Sequence, residues 1–367
     1  MLGAAVLCAV AAPHSAHLKD RPALLEERYL SLVEKAVTGA LIDEAGSCSG
    51  PVFPLTGCPL DLLQPYVPAA RENGSDWPPF GFTMVGSKRV KNMRMAIEAV
   101  TSGSIPGAIV EAGVWRGGLC IFSKLLLDVL GERRSVHLLD AFGTLPYGSE
   151  GMADYLAVSL DQVKHNFRKF DALDASVHFH RGLFQHTIPK LRKALDAAHE
   201  QIAVLRVDGN FYDSHQDALY QLYELVPVGG IVIFDDCYSN AVLQFWKDFC
   251  SDQGAIESFT PIDQSAGWFR KVKAIRIDWS KARPAVDVNV PGVATITYQA
   301  GKANELERYY FRQAAKTSIM PKRSCAGATA GTPSAGHSNA RLFLAASVGL
   351  VLGMALTHWY LLRKHKS

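Results

Sequence analysis

Five short apolar runs, each followed by a longer amphipathic stretch, occupy the middle of the chain and constrain its fold more than any other feature. Runs of about four to eight apolar residues are typical of buried strands, and the stretches between them have the apolar spacing of helices. Strands that alternate with helices form a parallel sheet covered on both faces, so the sequence predicts a doubly wound α/β fold. The predicted strands are 108–114, 135–142, 177–182, 202–209 and 230–237. The predicted helices are 118–130, 159–170, 188–198, 214–225 and 240–250, and the runs 256–262 and 267–272 predict a terminal antiparallel hairpin.

Composition narrows the class of protein. Hydrophobic residues make up 48% of the 367 residues and charged residues 20%, which excludes wholesale disorder and fibrous repeats. The net charge of +3 is too small for a protein that coats nucleic acid, so no nucleic-acid partner is expected. The seven cysteines are scattered and none has CxxC spacing, which indicates a reducing compartment or a chain that does not depend on disulfides.

Both ends of the chain differ from the middle. Residues 342–362 contain no Asp, Glu, Lys or Arg, and a helix of that length would span the roughly 30 Å core of a bilayer. A single-pass C-terminal membrane anchor is therefore predicted, with a buried core helix as the alternative. A flexible linker is predicted for 316–341 and a basic tail for 363–367. The apolar segment within 1–20 is compatible with a signal peptide or with disorder.

The membrane topology and the oligomeric state stay open at this stage. Basic residues flank the apolar run on both sides, so charge bias does not set its orientation. A GxxxG step at Gly349 and Gly353 would allow two such helices to pair, and this suggests a homodimer.

Acidic residues and glycines lie at the ends of the first two predicted strands. The first predicted strand ends in EAGVWRGG, 111–118, and the glycine spacing is not the GxGxxG of a dinucleotide site. A strand-end acid, Glu111, beside glycines suits a ligand that carries positive charge; an ordinary βα turn is the alternative. Asp140 ends the second strand, where an acid can accept both hydroxyls of a ribose or cap the next helix. The loop 143–155 that follows is long enough to act as a lid.

Three carboxyl groups follow two further strands. Asp208 ends the fourth predicted strand, and Asp235 and Asp236 end the fifth. Carboxylates at adjacent strand ends repel one another unless a cation neutralises them, and Mg²⁺ prefers such oxygen ligands. The alternative is that one aspartate caps a helix and the others face solvent.

Other reactive side chains are interpreted as structural. His186 and His215 begin predicted helices and are expected at the surface or as caps. His178 and His180 alternate along one strand, which is typical of an exposed edge. Cys120 and Cys237 lie in apolar runs and are predicted to be core thiols.

Taken together, the motifs resemble the macrocin O-methyltransferase family, S-adenosylmethionine-dependent enzymes that methylate sugar hydroxyls. The resemblance covers about residues 27–272 and rests on ERYLSLVEKAVTGAL (27–41), DWPPFGFTMVG (76–86), IVEAGVWRGGLCIF (109–122), LLDAFGTLP (138–146), LRVDGNFYDS (205–214) and VGGIVIFDD (228–236). It implies a class I methyltransferase (Rossmann-like) fold with a mostly parallel seven-stranded sheet and Mg²⁺ dependence. An N-terminal helical or lid segment would occupy 21–107 and the methyltransferase domain 108–315.

The resemblance also implies roles for individual residues. The residues implied to bind S-adenosylmethionine are Thr83, Met84, Val85, Glu111, Gly113, Gly117, Asp140, Gly182 and Phe184. Those implied to bind the metal are Asp208, Asp235 and Asp236, with Asp208 as the catalytic base. The acceptor would be a hydroxylated small molecule, and a membrane anchor would allow it to be lipid-linked. Because S-adenosylmethionine is made in the cytosol, a cytosolic catalytic domain is the simplest arrangement.

One position departs from the family pattern. The family usually has DGD where this chain has Asp208, Gly209 and Asn210. Because an amide is not a useful base near neutral pH, a catalytically impaired relative is the alternative function. A nicotinamide- or flavin-dependent Rossmann enzyme is a third hypothesis, disfavoured by the missing GxGxxG and by the three strand-end carboxylates.

Overall fold

The computed structural model describes residues 21–42, 46–48, 63–143 and 156–282. The predicted segment 1–20, most of the predicted lid loop 143–155, the linker 316–341, the apolar run 342–362 and the tail 363–367 lie outside the described residues, as does 283–315 of the predicted catalytic domain. Among the residues that are described, no helix combines the length and apolar character needed to cross a bilayer.

The described part of the N-terminal segment is mostly helical. It consists of α1 (Arg21–Thr38), a pair of two-residue antiparallel strands, β1 (Ser47–Cys48) and β2 (Leu63–Gln64), and then α2 (Pro68–Asn73) and α3 (Ser87–Ser102). Both long helices bury apolar residues at helical spacing, for example Leu30, Val33 and Val37 of α1. These helices pack against the first helix of the catalytic sheet domain, which brings the N-terminal part next to the candidate site.

A seven-stranded sheet forms the centre of the fold. Its strands are β3 (Ala108–Ala112), β4 (Val136–Asp140), β5 (Val177–Arg181), β6 (Ile202–Val207), β7 (Ile231–Phe234), β8 (Thr260–Pro261) and β9 (Gly267–Arg270). The order is β5-β4-β3-β6-β7-β9-β8, and the first five strands are parallel. The strands β8 and β9 form the predicted terminal hairpin, and β9 pairs antiparallel with β7. All five predicted parallel strands are confirmed, and they are one to four residues shorter than predicted.

Helices cover both faces of the sheet. They are α4 (Gly118–Val129), α5 (Leu160–Lys169), α6 (Phe184–Ala198), α7 (Tyr212–Leu222) and α8 (Asn240–Gln253). Ser159 and Ser239 cap α5 and α8 by accepting backbone N–H bonds. The helix α6 begins four residues before the predicted 188, so Pro189 lies inside it rather than at its start.

Alternate residues of the strands point into two apolar layers. Ile109 and Leu138 pack with α3, α4 and α5, whereas Val110 and Leu139 pack with α6, α7 and α8. This alternation explains why the strands are apolar throughout. The strand order reverses between β3 and β6, and the carboxyl ends of a parallel sheet at such a reversal are where ligands bind.

The histidine predictions have mixed outcomes. His178 and His180 lie on the edge strand β5, where His178 is exposed and His180 hydrogen-bonds His137 at 3.0 Å. His186 is exposed, as predicted. The prediction for His215 is wrong: it is fully buried, because α7 turns it against Phe234 of the sheet. Cys120 and Cys237 are buried thiols, as predicted.

Candidate active site

The loop between β3 and α4 requires its glycines. Gly113 has φ +90°, and a Cβ there would overlap the carbonyl oxygen of Asp208. Gly117 has φ +84°, and its Cβ would lie 2.9 Å from a methyl group of Val163. Only glycine adopts such a backbone without strain while allowing this close approach. The loop therefore lies directly against the end of β6.

Asp140, at the end of β4, organises this loop. One carboxylate oxygen accepts the backbone N–H groups of Val114 (2.9 Å) and Trp115 (3.1 Å), and the other accepts that of Phe142 (3.1 Å). Burial raises the pKa of Asp140, and these backbone donors oppose the rise. The side chain thus supports the loop rather than capping a helix. The oxygen bonded to Phe142 keeps acceptor capacity, and its role as a ribose ligand stays a prediction.

The N-terminal segment 82–85 closes one side of the loop. The carbonyl oxygen of Phe82 accepts the backbone N–H of Gly118 (2.8 Å), at the first residue of α4. Thr83 and Val85 are buried and Met84 is half-buried. The structure therefore places the predicted cofactor residues of this segment beside the glycine loop.

A fourth segment reaches the same region. The backbone N–H of Gly182 donates to the carbonyl oxygen of Asp140 (2.9 Å), and the Phe184 ring lies beside Gly209. Gly182 also has a positive φ of +136°. The predicted cofactor residues from all four segments thus lie near the carboxyl ends of β3, β4 and β6, although their individual contacts with a cofactor stay predictions.

The three predicted metal ligands come together. Asp208 follows β6, and Asp235 and Asp236 follow β7, which is hydrogen-bonded to β6. Each aspartate offers a carboxylate oxygen, and these oxygens lie within 4.8 Å of one another. Within the described part of the chain, no other group of three acidic, histidine or cysteine side chains is arranged in this way.

A buried arginine that sequence reasoning missed lies behind this cluster. Arg206 is 2% exposed; its guanidinium donates to Glu111 (2.6 Å), to Asp208 (3.1 Å) and to Asp235. It is paired in register with Glu111 across β3 and β6. The sequence signal was a single charged residue in the otherwise apolar run IAVLRV, because a buried arginine requires an acidic partner.

This arginine changes the interpretation of Glu111. One of its oxygens accepts from Arg206, and the other accepts from the Cys120 thiol (2.7 Å). Both oxygens therefore already have protein partners. Direct binding of the cofactor by Glu111 stays a prediction, and the contacts in the structure indicate a role in holding Arg206.

A second arginine, Arg89 of α3, was also not predicted from the sequence to be part of the site. It donates to Asp235 (2.7 Å), to Asp263 in the β8–β9 turn (2.6 Å) and to Ser265. Arg89 is separated from Asp235 by 146 residues, so nothing in the sequence pattern reveals this pairing. The N-terminal helices are thereby joined to the carboxylate cluster.

The three aspartates differ in their electrostatics. Burial alone would raise the pKa of Asp235, but Arg206 and Arg89 together hold it below its ordinary value. Burial and the neighbouring Asp235 raise the pKa of Asp236 to about 7, and they also raise the pKa of Asp208. Four carboxyl groups share the guanidinium groups of Arg206 and Arg89, namely those of Glu111, Asp208, Asp235 and Asp263, and Asp236 adds a fifth carboxyl group beside them. If all five were ionised, they would carry three more negative charges than the two guanidinium groups neutralise, and a hard divalent cation would offset that excess.

Asn210 lies two residues beyond Asp208. It is exposed and has φ +58°, a left-handed conformation that asparagine tolerates better than most residues. The departure from the family pattern is therefore at the surface of the site, whereas Asp208 itself lies within the carboxylate cluster.

Comparison with known proteins decides the family. A sequence model described as macrocin-O-methyltransferase (TylF) matches residues 61–271, which include the glycine loop and all three aspartates. The chain belongs to the macrocin-O-methyltransferase family. It is thus an S-adenosylmethionine-dependent O-methyltransferase, as the sequence motifs indicated.

Individual relatives agree with this membership. The chain is 41% identical over 184 residues to the demethyldecarbamoylnovobiocin O-methyltransferase of Streptomyces niveus, covering 47% of this methyltransferase and 68% of the relative. It is 30% identical over 260 residues to the mycinamicin III 3''-O-methyltransferase of Micromonospora griseorubida, covering 67% and 96%. The structure of the O-methyltransferase NovP aligns with a TM-score of 0.58 at 32% identity, covering 68% of this chain and 100% of NovP. The predicted fold class of the catalytic part is confirmed.

Proposed function

We propose that this methyltransferase transfers the methyl group of S-adenosylmethionine to a hydroxyl group of a sugar-type acceptor, with a divalent cation bound by Asp208, Asp235 and Asp236. The observation that carries the proposal is the convergence of these three carboxyl groups, whose oxygens lie within 4.8 Å of one another beside the glycine loop. Mg²⁺ is the cation that best fits an all-oxygen ligand set with room for substrate oxygens.

The chain's own residues supply orientation, charge and a proton acceptor. The glycine loop, supported by Asp140, positions the methyl donor, and the segment 82–85 covers it. A bound cation would lower the pKa of an acceptor hydroxyl, as bound metals do for water. Asp208 takes the hydroxyl proton; the oxygen forms a bond to the methyl carbon as the carbon–sulfur bond breaks, leaving S-adenosylhomocysteine. Because the sulfonium is intrinsically reactive, the protein mainly contributes positioning.

The acceptor class is proposed from the relatives. The names of the two relatives above identify O-methylation in the novobiocin and mycinamicin series, and a third, from Streptomyces olivaceus, methylates a rhamnosyl-tetracenomycin at the 4'-O position. We therefore expect a sugar hydroxyl carried by a larger small molecule. If 342–362 anchors the chain with the catalytic domain in the cytosol, the acceptor would reach it from the membrane surface, which would favour a lipid-linked sugar.

Because Asp208 lies within the cluster, the amide at Asn210 leaves the proposed base in place. The impaired-relative alternative predicts cofactor binding without turnover, so a single experiment separates the two.

The test is calorimetric titration of the full chain with S-adenosylhomocysteine and with Mg²⁺, followed by turnover with a panel of glycosides. We expect the wild type to bind Mg²⁺ and Asp236→Asn not to bind it, and we expect formation of S-adenosylhomocysteine to require Mg²⁺. The control Asp161→Asn, whose carboxyl group is exposed on α5, should bind Mg²⁺ and turn over like the wild type. Turnover that persists in chelator and in Asp236→Asn would refute the metal-assisted mechanism. Cofactor binding with no turnover on any glycoside, restored by Asn210→Asp, would favour the impaired relative.

A further inference from the structure

The helix α1 has two apolar stripes, and only one of them is used within the described chain. Leu30, Val33 and Val37 are buried against the rest of the domain. Leu25, Tyr29 and Leu32 follow each other at intervals of four and three residues, so they form a second line on the outer side of the helix. These outer side chains are 55%, 41% and 54% exposed. An outer apolar line of this kind is unusual for a helix that faces water.

A groove lies directly beside the outer stripe. It has a volume of about 740 Å³, and its walls are formed by Tyr29, Leu32 and Leu41 on one side and by Leu125, Val129 and Phe170 on the other. Its rim carries Asp128, Lys169 and Asp171. The outer stripe and the groove therefore adjoin each other on one surface and share Tyr29 and Leu32.

A second copy of the chain fits this surface better than other occupants do. A two-fold interface uses the same patch on both copies, so it must contain both a projection and a complementary recess. The patch supplies roughly 500 Å² of exposed apolar area, comparable to the apolar part of the ~800 Å² that each partner contributes to a standard interface. The side chains that make up this area are Leu24, Leu25, Tyr29, Leu32, Leu41 and Ile42.

Charge agrees with self-association. Arg28 and Lys35 are exposed next to the stripe on α1, whereas the rim of the groove has two acidic residues, Asp128 and Asp171, and one basic residue, Lys169. Placing α1 of one copy in the groove of the other would bring the basic flank toward the acidic rim. A membrane surface is a poorer partner, because anionic lipids attract predominantly basic surfaces and this one has acidic residues as well.

We propose that the chain forms a two-fold dimer in which the outer stripe of α1 docks into the groove of a second copy. The interface would also contact the C-terminal half of α4, whose first residue follows the glycine loop of the candidate site. The proposal does not depend on the function proposed above, since it concerns a surface on the opposite end of α4.

The experiment is native mass spectrometry and sedimentation velocity of the full chain, released from a neutral detergent. The chain concentration is about 20 μM, because interfaces of standard size have dissociation constants of micromolar or below and would be occupied at that concentration. The test variants are Leu32→Glu and Leu25→Glu. The matched control is Ile256→Glu, because Ile256 is 54% exposed but lies outside the patch. Wild type and I256E should be dimers. L32E should weaken the dimer at least about a hundredfold, since a carboxylate would be buried without a partner.

Folding is checked through the far-ultraviolet circular dichroism spectrum and S-adenosylhomocysteine binding, which should be unchanged because both substituted positions are more than half exposed. The thermal midpoint is not a suitable control, because loss of the dimer would itself lower it. A measurement that needs no variant is carbodiimide coupling in a mixture of light and heavy-isotope chains. It should join Lys35 of one copy to Asp128 or Asp171 of the other.

Three outcomes would overturn the proposal. The first is a monomeric wild type with no mixed-isotope coupling. The second is a dimer that L32E and L25E leave intact, which would mean that the chain pairs elsewhere, for instance through 342–362. The third is a monomeric wild type that sediments with phosphatidylserine vesicles while L32E does not, which would mean that this surface binds lipid.

Discussion

Replacing Arg206 with methionine tests whether the buried charge network holds the candidate site together. The substitution keeps much of the side-chain volume but removes the guanidinium from Glu111, Asp208 and Asp235. Glu111 is 3% exposed and Asp235 is 7% exposed, so water cannot replace the lost partner. Breaking a buried ion pair from one side typically costs about 3–5 kcal/mol. For a domain of this size that corresponds to a drop of about 6–20 °C in the thermal midpoint.

The assay is urea unfolding of wild type and variants, followed through tryptophan fluorescence. The matched control is Arg134→Met, because Arg134 is also well buried but donates to the carbonyl oxygens of Ile105 and Gly107 and has a partly exposed acidic partner, Glu132. That variant should lose only about 1–2 kcal/mol, the usual cost of leaving hydrogen-bonding groups unpaired.

The pH dependence gives an independent check. Burial already raises the pKa of Glu111, and removing Arg206 takes away an interaction that lowers it. Glu111 should therefore take up a proton more readily in R206M, and the stability deficit relative to wild type should shrink as the pH falls from 8 to 5. A loss below about 1 kcal/mol, or a deficit that is independent of pH, would refute the view that Arg206 neutralises the buried acids.

Three further predictions concern other parts of the molecule. Gly113→Ala should weaken S-adenosylhomocysteine binding at least about tenfold, because the new Cβ would overlap the backbone of Asp208. Gly131→Ala should leave binding intact, because Gly131 also has a positive φ of +69° but has open space around it; equal effects of the two variants in calorimetry would contradict this prediction. Mg²⁺ affinity should rise between pH 6 and 8, because Asp236, whose pKa is raised to about 7, must lose its proton to bind the ion; a flat titration would count against Asp236 as a ligand. Burial lowers the pKa of His137 to about 3, below its value in the unfolded chain, so the unfolded state binds more protons and this group alone should lower stability by about 2 kcal/mol from pH 6.5 to 5. His137→Gln should reduce this fall in urea unfolding, and His186→Gln, at an exposed position, should not.

The sheet was predictable from the sequence because strand character is a local property. Each of the five parallel strands is a short apolar run, and each functional acid lies at the carboxyl end of its strand or directly after it. The ends of helices were less certain. The early start of α6 places Pro189 inside the helix, and the position of His215 depended on which side of α7 meets Phe234. Neither feature is set by residues that are close in sequence.

The charge network was not predictable for the same reason. The pairing of Glu111 with Arg206 depends on the register between β3 and β6, whose paired residues are 95 positions apart. Arg89 reaches Asp263 across 174 positions. A single sequence shows that an arginine in an apolar run needs an acidic partner, but it does not show which acid provides it.

These contacts make the N-terminal part a component of the site. Phe82 accepts a backbone hydrogen bond from the first residue of α4, and its own N–H donates to Val37 of α1 (2.7 Å). Arg89 joins α3 to Asp235 and to the β8–β9 turn. The glycine loop and the carboxylate cluster are therefore both held from the same side by one helical segment. It follows that ordering of this segment and assembly of the site are coupled, since Asp235 without Arg89 would keep only one of its two guanidinium partners.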